Sequence, residues 1–242
     1  GESFNFKIDS NYVGSQIDSL RIGNTGITAT YLIKSQIKHN RVFGIASSGT
    51  ADITGVELST ACSQTSIENN RVYDINQTNS VGYASEGIRV ASGNSNRIIN
   101  NLVYDIKGFG DNATVGSNIS GISLEGGDFH EVYYNTINMY GSSTTATAAI
   151  VNAIWIGSTA VNGLKIKNNI FNNKFDNSAE AGQKYYAFHG VANTDFPSFD
   201  LNNNAYLVSP SSNKHFVGRV GTVEYVSLND FKVITQAVNQ FN

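Results

Sequence analysis

Residues 66–75 read SIENNRVYDI, and residues 96–106 read NRIINNLVYDI, so one stretch recurs in nearly the same form about 31 positions further along. Both copies contain the pattern apolar–x–x–Asn–x–apolar, where x is any residue. The pattern occurs seven times, centred on Asn11, Asn40, Asn70, Asn101, Asn135, Asn169 and Asn204. Successive asparagines are separated by 29, 30, 31, 34, 34 and 35 residues. A fixed motif with a drifting period is typical of stacked coils whose insertions fall in loops.

A second motif, Gly/Ala–apolar–x–apolar, lies 14 to 17 residues before six of these asparagines. Its copies begin at Gly26, Gly55, Gly87, Gly121, Ala153 and Ala187, and the last copy departs at its final position. Each repeat therefore holds three short alternating segments: this one, one that ends at the asparagine, and one that follows it. Such alternation predicts β-strands with one buried face, and no helical period persists through residues 1–208.

Three short strands per repeat predict an all-β fold, a parallel β-helix of about seven coils. The apolar residues three before and two after each asparagine should stack in two columns inside the tube. The asparagines should form a ladder, because Asn tolerates the left-handed bend between two strands. The amide of each Asn can also donate to and accept from the Asn of the next coil. We therefore interpret these asparagines as structural.

Composition excludes several classes of protein. Charged residues make up 14% of the chain and the net charge is −3, so no basic surface indicates nucleic-acid binding. The single cysteine, Cys62, permits neither an internal disulfide nor a Cys-rich metal site. No apolar run approaches the roughly 20 residues that span a bilayer, which argues against membrane insertion. The 31 asparagines and 23 glycines favour turns.

The repeats resemble a known family. The pattern I-x-N-N-x-apolar, with G-I-x-V upstream, resembles the right-handed parallel β-helix repeats of the pectate-lyase-like superfamily over about residues 4–208. That superfamily includes polysaccharide lyases, glycoside hydrolases, tailspikes, adhesins and non-catalytic surface modules. The Asn-rich composition with long Ser/Thr/Gly loops resembles exported β-helix proteins of Bacteroidetes-type bacteria. The resemblance implies a right-handed helix and a secreted or cell-surface location in a bacterium.

The chain is expected to form one domain, with the β-helix over residues 1–208 and a tail over residues 209–242. The tail resembles the short helical segment that often follows the last coil in such proteins. Ser227 is a plausible N-cap, and one helical face would carry Leu228, Phe231, Ile234 and Val238. This helix should cover the open end of the tube. At the other end the repeat begins midway, so we expect a longer parent chain with further domains, or another element capping that end.

In the resembling enzymes the substrate lies along the outward face of the strand that carries G-I-x-V. The outward x positions here are Thr28, Glu57, Arg89, Ser123, Trp155 and His189. We expect a glycan to contact this row, with Glu57, Arg89, Ser123, Trp155 and His189 as the ligand-binding residues. The alternative is an ordinary solvated face with a cross-strand ion pair between Glu57 and Arg89. A sugar stacked on Trp155 predicts an accessible indole, whereas a loop such as residues 141–152 folded over it predicts a buried one.

Catalytic candidates are few. In a lyase Arg89 could act as the base, with Glu57 and Glu125 nearby. Resembling lyases often use calcium, and Glu125 and Asp128 are the candidate ligands, although no Asp-rich cluster lines this strand. The loop EGGDFHE, residues 125–131, adds His130 as a candidate acid or base, and such a loop is also typical of a plain turn. No cofactor is expected, apart from possible calcium.

Three classes of function remain open at this point. The first is an extracellular non-catalytic module for surface display, adhesion or polysaccharide binding, whose partner would be a polysaccharide or cell-surface glycan. The second is a lyase or glycoside hydrolase that acts on a glycan, for instance one that contains uronate. The third, an ice-binding β-helix, needs a regular Thr array that the mixed outward row lacks. The thin inventory of charged residues favours the first class, so whether the protein is an enzyme stays open, leaning towards no.

Overall fold

The computed structural model of the chain describes residues 1–110, 118–142, 149–176, 182–191, 199–209 and 213–232. Within them the chain forms three long parallel sheets that wrap one interior, with one strand of each sheet in every coil. The predicted right-handed parallel β-helix is confirmed, with about six full turns between its first and last rungs. We number the sheets in the order in which the chain visits them in each coil.

Sheet 1 contains the Gly/Ala–apolar–x–apolar strands and is closed by one antiparallel strand. Its strands are β4 (Thr25–Ala29), β8 (Ile53–Leu58), β11 (Ser85–Val90), β14 (Ile119–Leu124), β17 (Ile150–Ile156), β20 (Lys184–Gly190), β23 (His215–Val220) and the antiparallel β24 (Val223–Tyr225). Sheet 2 contains the three-residue strands that precede each motif asparagine. They are β2 (Lys7–Asp9), β6 (Gln36–Lys38), β9 (Ser66–Glu68), β12 (Arg97–Ile99), β15 (Glu131–Tyr133), β18 (Lys165–Lys167) and β21 (Asp200–Asn202).

Sheet 3 begins directly after each motif asparagine. Its strands are β3 (Tyr12–Val13), β7 (Arg41–Ser47), β10 (Arg71–Gln77), β13 (Leu102–Gly108), β16 (Thr136–Gly141), β19 (Ile170–Phe175) and β22 (Ala205–Val208). A short strand β1 (Ser3–Phe4) pairs with β5 (Leu32–Ile33), and a 3-10 helix spans Asp18–Leu20. No helix in the described ranges is long and apolar enough to cross a membrane.

The two predicted apolar columns are confirmed by the strand register. In sheet 2 the stacked residues are Ile8, Ile37, Ile67, Ile98, Val132, Ile166 and Leu201. In sheet 3 they are Val13, Val42, Val72, Val103, Ile137, Phe171 and Tyr206. Nearly all of these side chains are buried, so each coil adds a layer to one continuous core. Cys62 is free, as expected of the only cysteine in the chain, and it is buried in that core.

The asparagine ladder is confirmed, and its geometry is regular. Asn101 shows the pattern: its Oδ1 accepts the backbone N–H of Asn70 at 2.9 Å and the Nδ2 of Asn70 at 3.0 Å. Its own Nδ2 donates to Asn135 Oδ1 at 3.0 Å and to the backbone oxygen of Ile67 at 2.8 Å. The same bonds join consecutive asparagines from Asn11 to Asn204. Each side chain therefore satisfies backbone groups that the bend would otherwise leave unpaired.

One detail of the bend differs from expectation. The motif asparagine itself does not adopt a left-handed backbone, because the residue directly before it does. Their φ angles lie between 53° and 61°, and the residues are Ser10, His39, Asn69, Asn100, Tyr134, Asn168 and Asn203. The motif asparagine is thus selected for its side-chain hydrogen bonds, and the residue before it absorbs the bend.

The β-helix extends past residue 208, because β23 pairs in parallel with β20 and adds a seventh parallel strand to sheet 1. The helical cap is confirmed within the described residues, at residues 228–232. Ser227 Oγ accepts the backbone N–H of Asp230 at 3.1 Å, as an N-cap does. Phe231 is 1% exposed and its ring packs against the ring of Phe188, with centroids 5.6 Å apart. Ile234 and Val238 of the predicted face lie outside the described residues.

The ladder predicts a strong position dependence. Asn101→Ala should lower the free energy of unfolding by about 3 kcal/mol, because it leaves the buried backbone N–H of Asn70 without its acceptor and removes the bonds of the Asn101 side chain to Asn70 Nδ2 and to the oxygen of Ile67. Asn11→Ala is the matched control, since Asn11 occupies the same motif position but is exposed at the first rung. It should change the free energy by less than about 1 kcal/mol. Urea denaturation measures both, and equal losses at the two positions would contradict the ladder.

Candidate functional site

The predicted outward row exists on sheet 1. Register pairs its members one to one across adjacent strands, in the order Thr28, Glu57, Arg89, Ser123, Trp155 and His189. The next strand adds Arg219 beside His189, a member not predicted from the sequence. A second outward row runs beside the first, because the residue before each motif glycine or alanine also faces out. Its members are Thr25, Thr54, Glu86, Ser120, Asn152 and Tyr186.

Only the first coils of this face are open. Ser123 is fully buried, Trp155 is 1% exposed and His189 is 4% exposed. Over the earlier strands an open groove of about 390 Å³ remains, and we call it the sheet 1 groove. It is lined by Asn24, Thr25, Thr28, Asp52, Thr54, Glu57 and Arg89, all of which have polar side chains. Of the five predicted ligand-binding residues, Glu57 and Arg89 therefore border an open surface, and the other three do not.

Arg89 is the centre of a charged cluster. Its Nη1 donates to Glu57 Oε1 at 3.0 Å, and its Nε donates to Glu125 Oε2 at 3.0 Å. Glu86 Oε2 lies 3.4 Å from the same Nε. Ser123 Oγ donates to the other oxygen of Glu125 at 3.1 Å, which orients that carboxylate. Three glutamates thus surround one guanidinium, and the predicted pair of Glu57 and Arg89 is confirmed as part of this larger cluster.

The surroundings of the cluster shift the pKa values of Glu86 and Arg89. Glu86 is 2% exposed, and burial, followed by the nearby charge of Glu125, raises its pKa well above the ordinary value. Its Oε1 makes no hydrogen bond in the described part of the chain. Burial opposes the charge on Arg89, but hydrogen bonding to Glu125 and the charges of the three glutamates raise the pKa of Arg89 above its usual range. A buried carboxyl group with a raised pKa therefore lies beside a guanidinium whose pKa is also raised.

This geometry limits what Arg89 can do. A base must release its proton before it can accept one from a substrate, and the three glutamates hold Arg89 protonated. Its charge is also already matched by Glu57 and Glu125, so it is poorly suited to neutralise the carboxylate of a uronate. Arg89 instead organises the glutamates around it.

His130 lies in a second ladder, on the bend between sheets 1 and 2. Its Nδ1 accepts the backbone N–H of Asn96 at 3.2 Å, and its Nε2 donates to the backbone oxygen of Gly126 at 2.9 Å. Asn96 in turn accepts the backbone N–H of Thr65 through Oδ1. His130 is fully buried, and burial lowers its pKa, so the neutral ring fits these bonds. Its geometry is that of a structural residue, with both ring nitrogens occupied.

The candidate calcium ligands do not form a cluster. Asp128 Oδ1 accepts the backbone N–H of Asn162 at 3.0 Å, which continues another inter-coil ladder. Glu125 is held by Arg89 and Ser123 instead. Among the described residues no group of three or more His, Cys, Asp or Glu side chains is placed to hold a metal ion.

The accessible indole that sugar stacking requires is not observed. Trp155 faces outward by register, yet its ring is buried, and a Cβ added at Gly157 would lie 2.8 Å from it. Residues 143–148 of the loop considered as its cover lie outside the described residues. His189 is also buried: its Nδ1 lies 3.0 Å from Asn152 Oδ1, and burial with the charge of Arg219 lowers its pKa to about 3. Outward direction in the strand pattern thus does not ensure exposure.

Glu86, Thr54 and Asp52 were not predicted from the sequence. A signal for the first two was present, because the residue before the motif glycine or alanine is polar or Tyr in every copy. The third needs the structure: Asp52 precedes β8, and its Oδ1 accepts the backbone N–H of Ala84 at 2.7 Å.

The raised pKa of Glu86 predicts a pH-dependent stability. The native state keeps the proton on Glu86 where the unfolded chain, with a pKa near 4.3, has lost it. Wild-type stability should therefore fall as the pH rises above about 4.3, and Glu86→Gln, which cannot ionise, should avoid that loss. The variant should gain stability relative to wild type between pH 4 and pH 8, measured by thermal melts. Glu2→Gln, at an exposed position, is the control, and a gain that does not grow with pH would contradict the assignment.

Burial of the indole predicts a structural role for Trp155. Trp155→Ala should lower the free energy of unfolding by about 3 kcal/mol or more, as for other buried aromatic residues. Because Trp155 is the only tryptophan, native fluorescence should be blue-shifted and weakly quenched by acrylamide. A red-shifted emission that quenches as fast as free tryptophan would show that the ring is exposed.

Comparisons with known proteins give few likenesses. No protein-family model matches the chain, and no curated protein matches its sequence. Among solved structures, the fold is similar to the A-modules of the mannuronan C-5 epimerases AlgE6 and AlgE4 of Azotobacter vinelandii. The identity is 13% for both, the TM-scores are 0.49 and 0.47, and the likeness covers 92% and 89% of this chain. The periplasmic alginate epimerase AlgG is similar at 12% identity over 92% of this chain, with a TM-score of 0.27. The chain spans 58% of each A-module and 61% of the periplasmic enzyme, and at such scores these likenesses decide nothing about activity.

Proposed function

We propose that this protein is an extracellular polysaccharide-binding module whose ligand lies in the sheet 1 groove. The observation that carries the proposal is the lining of that groove. All seven side chains are polar, and they mix hydrogen-bond donors with acceptors: one amide, three hydroxyls, two carboxylates and one guanidinium. Sugar hydroxyls both donate and accept, so they can satisfy such a lining, whereas an apolar ligand would leave it unpaired.

The charge of the groove indicates the class of sugar. Asp52 and Glu57 line it with negative charge, and Glu125 contacts the Arg89 guanidinium at its border. The single cation, Arg89, is already paired with glutamates. A uronate carboxylate entering here would meet like charges without a free cation. We therefore propose neutral or amino-sugar chains as the ligand, and a secreted or cell-surface location where such chains occur.

Glycoside hydrolysis is a second candidate, favoured by one observation. Hydrolases of this kind need a protonated carboxylic acid beside an ionised carboxylate, and the raised pKa of Glu86 next to Glu57 and Glu125 resembles that combination. Glu86 is 2% exposed and does not line the groove, which is why binding is the better supported function. Release of reducing ends by the wild type that is lost in Glu86→Gln would establish hydrolysis instead.

A glycan array of neutral, amino-sugar and uronate oligosaccharides, followed by calorimetric titration of the best neutral or amino-sugar ligand, tests the proposal. Glu57→Gln should weaken that binding at least tenfold, about the 1.5 kcal/mol or more typical of a hydrogen bond to a charged group. Glu131→Gln is the matched control, because Glu131 also pairs with an arginine, Arg97 at 3.3 Å, but lies on sheet 2.

The control should bind as the wild type does. An equal loss in both variants, or an array on which no neutral or amino-sugar chain binds, would contradict the proposed function.

A further inference from the structure

A stack of aromatic rings runs along the outward face of sheet 3, a different sheet from the one that holds the sheet 1 groove. Phe43, Tyr73 and Tyr104 occupy equivalent positions on three successive strands. Their rings are parallel to within 8° and 2°, with centroids 5.3 and 4.9 Å apart. The stack ends at Tyr104, because the next two residues of this row are Asn138 and Asn172.

Two arginines lie against this stack. The guanidinium of Arg41 is 5.2 Å from the ring centroids of both Phe43 and Tyr73, and that of Arg71 is 5.0 Å from Tyr73. Each donates its Nε to a tyrosine hydroxyl one coil further on; for Arg71 that hydroxyl belongs to Tyr104, at 2.8 Å. These bonds fix the guanidinium planes and leave the Nη groups of Arg71 without a protein acceptor among the described residues.

The charge of the two arginines is not cancelled locally. Neither forms a salt bridge with a carboxylate in the described part of the chain, unlike Arg89 on sheet 1. The acidic residues further along the same strands already have partners: Asp74 pairs with Arg21 at 3.0 Å, and Asp105 pairs with Lys107 at 2.8 Å. Sheet 3 therefore presents an uncompensated positive charge on a protein whose net charge is −3.

An open groove of about 370 Å³ begins where the ring stack ends, and we call it the sheet 3 groove. It is lined by Arg71, Leu102, Tyr104, Thr136, Asn138, Ile170 and Asn172. Leu102 and Ile170 are 39% and 44% exposed, so the floor is partly apolar. Asn172 donates to Asn138 Oδ1 at 2.6 Å, and among the residues that the structure describes the Nδ2 of Asn138 has no acceptor. The groove spans three coil spacings, roughly 14 Å at about 4.8 Å per strand.

We propose that the sheet 3 groove binds an acidic polysaccharide through a hexuronate unit. The apolar face of one sugar ring would continue the stack on the free face of Tyr104, where the sequence has no fourth aromatic ring. The sugar carboxylate would accept from the Nη groups of Arg71, a planar fork that matches carboxylate geometry. Asn138 and Thr136 would bond the hydroxyls of the next unit, over the apolar floor of Leu102 and Ile170.

This site is independent of the proposed function of sheet 1, and the two prefer opposite charges. Glu57→Gln should therefore leave uronate binding unchanged, whichever way the sheet 1 experiment ends. The probe is tri-galacturonic acid, titrated calorimetrically into the full chain at low salt, with its fully methyl-esterified form as the uncharged counterpart. The acid should bind and the ester should bind at least tenfold more weakly.

Arg71→Gln and Tyr104→Ala should each weaken binding of the acid at least tenfold, whereas Tyr104→Phe, which keeps the ring, should retain most of it. Arg97→Gln is the matched control, because Arg97 is an exposed arginine on the outward face of sheet 2 and should not matter. If Tyr104→Ala fails to fold, Arg71→Gln and Arg71→Lys, at an exposed position, still decide the case, and Lys should restore only part of the affinity. Equal binding of acid and ester, an effect of Arg97→Gln as large as that of Arg71→Gln, or no binding of the acid would each overturn the proposal.

Discussion

The structure depends on one repeated interaction, the acceptance of two hydrogen bonds by an asparagine oxygen from the asparagine of the preceding coil. Between Asn70 and Asn101 these bonds are 2.9 and 3.0 Å long, and both residues are buried. Because a buried amide without a partner is unfavourable by about 1–3 kcal/mol, a coil that slipped by one residue would lose several such bonds at once. The ladder thereby keeps every strand in register with the next. The outward side chains of adjacent strands are therefore aligned by the same register.

Because the strands are in register, equivalent residues of successive coils lie side by side in rows. The side chains of each row determine what its sheet can bind. On sheet 1 the row contains Glu57 and Arg89, with Glu86 and Glu125 beside them, so the cation is surrounded and the surface is acidic. On sheet 3 the arginines lie over tyrosine and phenylalanine rings, which leave their positive charge uncompensated. Two faces of one tube thus differ in charge although the backbone beneath them is nearly the same.

Much of this arrangement could be predicted from the sequence, because strand register follows from a side-chain period of two. The apolar columns, the ladder, the register of the row from Thr28 to His189 and the presence of Glu57 and Glu125 near Arg89 agree with what the sequence predicts.

Burial could not be predicted in the same way, since it depends on what lies over a strand. Trp155 faces outward by register and is buried nonetheless. The sequence made His130 a candidate catalytic acid or base in a turn. Its hydrogen bonds show instead that it takes the place of an asparagine or threonine in a second ladder. The seventh parallel strand of sheet 1 was missed because His215–Val220 carries the Gly–x–apolar ending without a motif asparagine after it.

The central claim is that two rows of one tube bind sugars of different charge, and methyl NMR tests it most directly. The methyl groups of Thr25, Thr28 and Thr54 report on the sheet 1 groove. The methyl groups of Leu102 and Ile170 report on the sheet 3 groove. Titration with a neutral or amino-sugar oligosaccharide should shift only the threonine signals, and titration with tri-galacturonic acid should shift only the leucine and isoleucine signals. Both ligands moving the same set of signals, or neither ligand moving any of them, would contradict the division of the surface by charge.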